Sequence, residues 1–326
     1  MNTGATPSIL LVAWLCLHPV VANAVEAPVT TVDTIHFLIP GAAGGGWDRT
    51  ARGTGRALYE SGLITRVRYE NMSGGGGGKA IAHLIERNSS DMLMVNSTPI
   101  VIRSLKNIFP QSFRDLTPVA SVIGDYSVIA VRQQSAITSI QQLVHKQNLS
   151  PRAVAFAGGS VTGGMDHLVS ALVLRAAGAT PRSVKYIPYD SGGKAMAGLL
   201  SGEAQVLTSG FSEVIDLVRQ RLVRILCVTA DVRLAAAPAT PTCHEAGAGN
   251  AVFLNWRGFF ASPHLTGEGA SRFERTLAAM YATPEWNSIR DHNGWVDSFA
   301  AGPNFFVMLE QQEAALGELM VDLGLL

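Results

Sequence analysis

Glycines are the residues of this chain best placed to do chemistry. Asn71–Ala80 reads Asn-Met-Ser-Gly-Gly-Gly-Gly-Gly-Lys-Ala, five glycines and a lysine between a strand-like and a helix-like segment. A nucleotide phosphate loop needs G-x-x-x-x-G-K-[ST], whose hydroxyl holds magnesium. The frame ending at Gly78-Lys79 has Ser73 in the first glycine position and Ala80 where the hydroxyl belongs. That double mismatch argues against nucleotide hydrolysis. The dinucleotide pattern G-x-G-x-x-G breaks at Arg49, after Gly44-x-Gly46, and only Glu70 supplies an acidic strand end. Gly158-Gly-Ser-Val-Thr162 departs from the G-x-S-x-G nucleophile elbow at Thr162. Asp166 and His167 are helix neighbours pointing about 100° apart, so they form no dyad. His167 and His83 read as capping or packed histidines.

What remains is suited to binding without turnover. Four glycine-rich loops fall where a strand gives way to a helix: Pro40–Asp48, Ser73–Lys79, Ala157–Gly164 and Tyr189–Lys194. Each places unpaired backbone N–H groups and the positive end of a helix dipole at the carboxyl edge of a sheet, where anions are held. Hydroxyls and amides accompany them, among them Asn96, Ser97, Thr98, Ser160, Thr162, Ser191, Thr208 and Ser209. A carboxylate suits such a lining, because its two oxygens accept several N–H bonds at once. Arg49, Arg52 and Arg103 could add charge near the first loops, although a solvated helix face is the simpler reading of each. Asp48 would serve its helix N-terminus as a cap; facing the ligand, it would need a water or a ligand hydroxyl between itself and a carboxylate.

The elements that must position these loops alternate between short apolar runs and helix-period segments, the mark of βαβ units. The predicted strands are Ile35–Ile39, Val67–Glu70, Met92–Val95, Ala153–Ala157, Val184–Ile187, Ala204–Leu207, Arg224–Val228 and Trp256–Ala261. Between them the predicted helices are 47–60, 79–87, 139–147, 164–177, 193–200 and 212–221, with a helix start at Asn96–Pro99. Pro118–Arg132 reads as two strand pieces around Gly124-Asp125. Asp231–Asn250 reads as an irregular connection, and three helical stretches follow the last strand. Phe305, Leu309, Leu316 and Met320 recur near helical spacing and predict core packing. Two βα series and a returning tail predict two lobes joined by crossover strands, with lobe 1 over 28–123 plus 250–326 and lobe 2 over 124–249. The cleft between them is the default binding site.

Composition limits the partners. The 326 residues are 47% apolar and 15% charged, with 25 basic and 25 acidic residues giving zero net charge. That is globular and lacks the basic footprint of a nucleic-acid binder. The 33 glycines are clustered rather than periodic. Ile9–Leu17 is an apolar run about half the length of a membrane span, followed by Ala22-Asn23-Ala24, so it reads as an export signal cleaved after Ala24. No Lys or Arg precedes the run, which leaves a retained anchor as the alternative; Cys16 is a poor lipid-attachment candidate behind bulky Trp14 and Leu15. Export implies an oxidising compartment, where Cys227 and Cys243 could pair or stay buried and free. No metal-type Cys or His spacing occurs, and no cofactor is expected.

Taken in order, the loops resemble the substrate-binding proteins of tripartite tricarboxylate transporters, the TctC or Bug family. The resemblance rests on Ile39–Asp48 with Thr50–Arg52, Glu70–Gly78, Asn96–Pro99, Gly158–Leu168 and Tyr186–Ala195, continuing through Ser209–Glu213, Val228–Ala230 and Asn255–Ala261. It spans about residues 33 to 320. It implies a type II periplasmic binding protein fold, an α/β architecture whose two lobes are mostly parallel sheets flanked by helices and joined by hinge strands. It also implies a non-enzymatic, monomeric protein of the periplasm that closes on a citrate-like di- or tricarboxylate and delivers it to membrane permease subunits. The ligand-binding residues it implies, together with the polar lining above, are Ala43, Gly44, Gly45, Gly46, Trp47 and Asp48; Ser97 and Thr98; Ser160 and Thr162; Tyr189, Asp190, Ser191 and Gly192; and Ser209. Two features depart from the family pattern: the bare pentaglycine before Lys79, and Asp190-Ser191 where small residues are common. A glycine-loop cofactor enzyme and a ligand-sensing partner of a membrane signalling protein stand as alternatives.

Overall fold

A computed structural model describes residues 32–150, 153–180, 184–265 and 267–326. The expected export signal, its expected cleavage site after Ala24 and Cys16 lie outside the described residues. The first βα series is β1 (Thr34–Ile39), α1 (Gly46–Glu60), β2 (Arg66–Asn71), α2 (Gly78–Arg87), β3 (Met92–Ser97) and α3 (Pro99–Lys106). The long β4 (Thr117–Arg132) leads to the second: α4 (Ile140–Leu149), β5 (Ala155–Gly158), α5 (Met165–Ala176), β6 (Lys185–Pro188), α6 (Gly192–Ser201), β7 (Val206–Gly210), α7 (Phe211–Arg219) and β8 (Val223–Val228). After an irregular connection come β9 (Leu254–Ala261), α8 (Gly267–Tyr281), α9 (Pro284–Asn293), the two-residue β10 (Ala300–Ala301) and α10 (Pro303–Leu323).

The strands are ordered β2-β1-β3-β9-β4-β7-β5-β6, with β8 and β10 also paired to β4. Within each lobe the βα strands are parallel: β2, β1 and β3 in one, and β7, β5 and β6 in the other. The antiparallel pairings belong to β9 and β4, which run between the lobes. Parallel strands buried on both faces account for the continuous apolar runs of β1 and β3. Phe37, Leu58, Phe259 and Trp286 fill one lobe core; Val128, Leu207 and Phe211 pack in the other.

The two strand pieces expected around Gly124-Asp125 are one strand. β4 pairs with β9 from Thr117 to Tyr126 and with β7 and β8 from Ser127 onward, so it serves both lobes in turn. Gly124 marks no turn. A Cβ there would lie 2.7 Å from Leu254 and 2.9 Å from Val296, and its N–H and C=O both bond to Val296. Glycine inside a strand marks close approach.

The stripe expected on the last helix is buried: Phe305, Leu309, Leu316 and Met320. α10 packs on α3 of one lobe and α5 of the other. Cys227 and Cys243, whose pairing the sequence left open, form a disulfide with their Cα atoms 4.8 Å apart, tying β8 to the connection that follows. Among the described residues no helix is long and apolar enough to cross a membrane.

Candidate functional site

All four glycine loops meet around one cavity of about 720 Å³ between the lobes. The loop after β1 enters α1 at Gly45, its N-cap, and Gly44 turns the chain with φ +82°. The Asp48 carboxylate accepts the Gly44 N–H at 3.0 Å, the Arg52 Nε–H at 2.9 Å and the Asn71 amide at 3.0 Å. Burial raises its pKa, but these bonds together outweigh burial and hold it below the usual carboxylate range. Asp48 is therefore a strut inside the loop, not a cavity wall. Trp47 donates from Nε1 to Ser97 Oγ at 2.9 Å and thereby fastens the loop to the end of β3.

The pentaglycine serves a backbone path. Gly74, Gly75, Gly76 and Gly77 have φ of +141°, +56°, +57° and +96°, conformations that L side chains resist. Ser73 and these four glycines line the cavity, whereas Lys79 is exposed and does not. In the second lobe, Ser160 Oγ accepts the Asp166 N–H at 2.9 Å and lies 3.1 Å from the Tyr186 hydroxyl. The Gly163 N–H donates to His167 Nδ1 at 3.0 Å, and the His167 ring stacks on Tyr186. His167 is thus the packed, capping histidine expected, and burial followed by the charge of Lys106 lowers its pKa. Ser191 caps α6, accepting the Lys194 N–H, while Asp190 pairs with Lys194 at 2.7 Å in solvent.

Of the expected ligand residues, Gly45, Gly46, Trp47, Ser97, Ser160, Thr162, Tyr189, Asp190, Ser191, Gly192 and Ser209 line the cavity. Four do not. Ala43 and Gly44 are exposed at the loop tip, and Asp48 is turned into the loop. Thr98 is fully buried, its N–H donating to Asn255 Oδ1 and its hydroxyl accepting from Gln312.

Sequence reasoning passed over a set of buried charges beneath the loops. Arg257 on β9 is 2% exposed and bonds to Asp125 Oδ2 at 2.8 Å, to Glu213 Oε1 at 3.2 Å and to Thr50 at 3.4 Å. These groups bring together α1, both crossover strands and α7. A Cβ on Gly46 would collide with Arg257 and Glu213, and one on Gly192 with Glu213. The glycines that start α1 and α6 therefore let both helix ends close onto this network. Burial raises Glu213, the Arg257 charge opposes that, and the Asp125 charge adds to it. Burial, then the charge of Glu213, pushes Asp166 up to about 7 against bonds from Ser160 and Gly159. An arginine within the otherwise apolar run Trp256–Ala261 was the available signal for this network.

A family model described as tripartite tricarboxylate transporter family receptor matches residues 63–318. Among solved structures, periplasmic binding protein BugD is 19% identical with a TM-score of 0.81, over 90% of this chain and 98% of that one. MatC from Rhodopseudomonas palustris with bound malate is 17% identical with a TM-score of 0.77, over 88% and 99%. An R. palustris protein with adipate is 19% identical with a TM-score of 0.81, over 90% and 97%. These likenesses are of fold. No curated protein matches the chain.

Proposed function

Because this chain belongs to the TctC family of tripartite tricarboxylate transporter receptors, we propose that it captures a small organic di- or tricarboxylate, citrate or a relative, between its lobes. It would act in the periplasm, after cleavage at Ala24, and hand the acid to the membrane subunits of such a transporter. The carrying observation is that α1 from one lobe and α5 and α6 from the other all begin at the cavity, through Gly46, Met165 and Gly192. Three helix N-termini turned on one space favour an anion, and their N–H groups match carboxylate oxygens. Gly45, Gly46, Trp47, Ser191 and Gly192 are the residues we assign to the first carboxylate. Malate and adipate, held by two proteins of like fold, are acids of this class. For the lobes we retain 28–123 plus 250–326 and 124–249, with β4 and β9 as the hinge.

The test is calorimetry and thermal unfolding of protein stripped of ligand, against a panel of organic acids. A ligand at a hundred times its Kd adds about 2.7 kcal/mol of stability, so at least one di- or tricarboxylate should raise the melting temperature. Binding of an amine or a sugar with no acid bound sinks the reading.

A further inference from the structure

We propose that Arg103 and Lys106 form a second anion-binding pole in the cavity, receiving the far acidic group of an elongated dianion. The proposal rests on the carboxylate reading above and adds to it a choice of ligand shape.

The three arginines near the first loops have different fates. Arg49 reaches Asp216 at 3.5 Å and Arg52 reaches Asp48 at 2.9 Å, and neither lines the cavity. Arg103 does, and it is only 6% exposed. Its Nη1 donates to the Gly76 carbonyl at 2.9 Å, and its guanidinium lies 4.1 Å over the Phe109 ring. Its Nε and Nη2 are buried and have no partner. Among the described residues no carboxylate pairs with it, so its charge is desolvated without a counter-charge, and burial pulls its pKa down to about 10. Such a charge is costly to bury unless something answers it. A second carboxylate is the natural answer, since two unpaired N–H donors on one planar fork match its two oxygens.

Lys106 stands three residues on along α3, on the same face. It also lines the cavity, and its Nζ donates to the Gly163 carbonyl of the other lobe at 3.4 Å. The pole therefore spans the cleft at one wall. Ile102, Ile108 and Phe109 line the same wall, which suits a hydrocarbon midsection. The ligand class is an α,ω-diacid whose first carboxylate takes the helix N-termini and whose second reaches Arg103.

The experiment is titration calorimetry of wild type, Arg103→Met and Lys106→Met with length-matched pairs, adipate against hexanoate and succinate against butyrate. A charged hydrogen-bond partner is worth about tenfold or more in affinity. Wild type should bind at least one diacid about tenfold tighter than its monoacid. Arg103→Met should lose about that factor for the diacid while the monoacid changes less than about twofold. Retained monoacid binding shows that the cavity has folded. Lys106→Met leaves the Gly76 contact intact, so a diacid-selective loss there supports the pole even if Arg103→Met fails to fold. Equal losses for both acids make Arg103 a support of the glycine loop and overturn the proposal, as does no loss in either variant. Monoacids bound as tightly as diacids by wild type overturn the second pole alone. No acid bound at all overturns the carboxylate reading together with it.

Discussion

Asp166 lines the cavity at the first turn of α5, and its charge changes within the ordinary range of pH. Burial is the largest cause of its rise to about 7, the charge of Glu213 the next. An unfolded aspartate titrates near about 3.9. Between those values the folded protein holds a proton that the unfolded chain has released, so stability falls as pH rises. The contribution is complete below about 4 and lost as pH passes 7; about three units at 1.36 kcal/mol each makes it roughly 4 kcal/mol. Asp166→Asn should therefore be the more stable protein at pH 8 and lose most of this slope. Denaturant titrations at pH 5 and pH 8 check it, and an unchanged slope would move the effect to other groups. Little of this was legible beforehand. The spacing of Asp166 and His167 excluded a dyad, but the depth of Asp166 depends on Gly158, where a Cβ would lie 2.6 Å from the Asp166 Cβ. Arg103 was misjudged for a related reason. Its place on a helix suggested a solvated face, and only the folding of the Gly76 loop and Phe109 over it makes it a buried cavity wall.

The elements themselves were largely readable, because period-2 and period-3.6 patterns depend on which face is buried and little else. The boundary that failed, inside β4, failed because Gly-Asp has two meanings. It breaks a strand when it turns the chain; here Gly124 admits Val296 and Leu254, while Asp125 anchors Arg257. The pentaglycine is the opposite case, in which residue type and backbone agree. Four successive left-handed residues, followed by the helical start of α2, leave no position for an ordinary side chain. Gly76→Ala isolates that conformational cost, since its Cβ would meet only Val161 at 3.6 Å, an ordinary contact. The substitution should lower the unfolding free energy by about 1–2 kcal/mol, measured by denaturant titration. No change would mean that the loop has another accessible path and that its glycines serve mobility instead.

At the scale of the molecule, α10 packs on helices of both lobes, and the polar contacts between the lobes differ in what a hinge rotation does to them. Arg257 and Asp125 lie on the crossover strands β9 and β4, which pair with each other through both lobes' shared edge, so their bond survives a hinge rotation. At the rim, the Arg49–Asp216 pair and the Lys106–Gly163 bond must break if the cleft opens. An exposed ion pair contributes about 0–1 kcal/mol, so the rim contacts add little to closure and a ligand that binds the closed form better shifts the equilibrium toward it. The loops of the two lobes also come together at Gly45, where a Cβ would sit 3.3 Å from the Ser191 Cβ. The Gly45 backbone, at φ −80° and ψ 173°, is one that valine adopts freely. Gly45→Val therefore adds bulk between the lobes without straining either. Unfolding of the unliganded protein should change by no more than about 0.5 kcal/mol. Ligand affinity should fall by about tenfold or more, as expected when closure loses about 1.4 kcal/mol. Small-angle scattering at saturating ligand should show a larger radius than wild type. An unchanged Kd with an unchanged radius would mean that Gly45 and Ser191 do not close on the ligand, and the site would have to be rebuilt around the remaining loops.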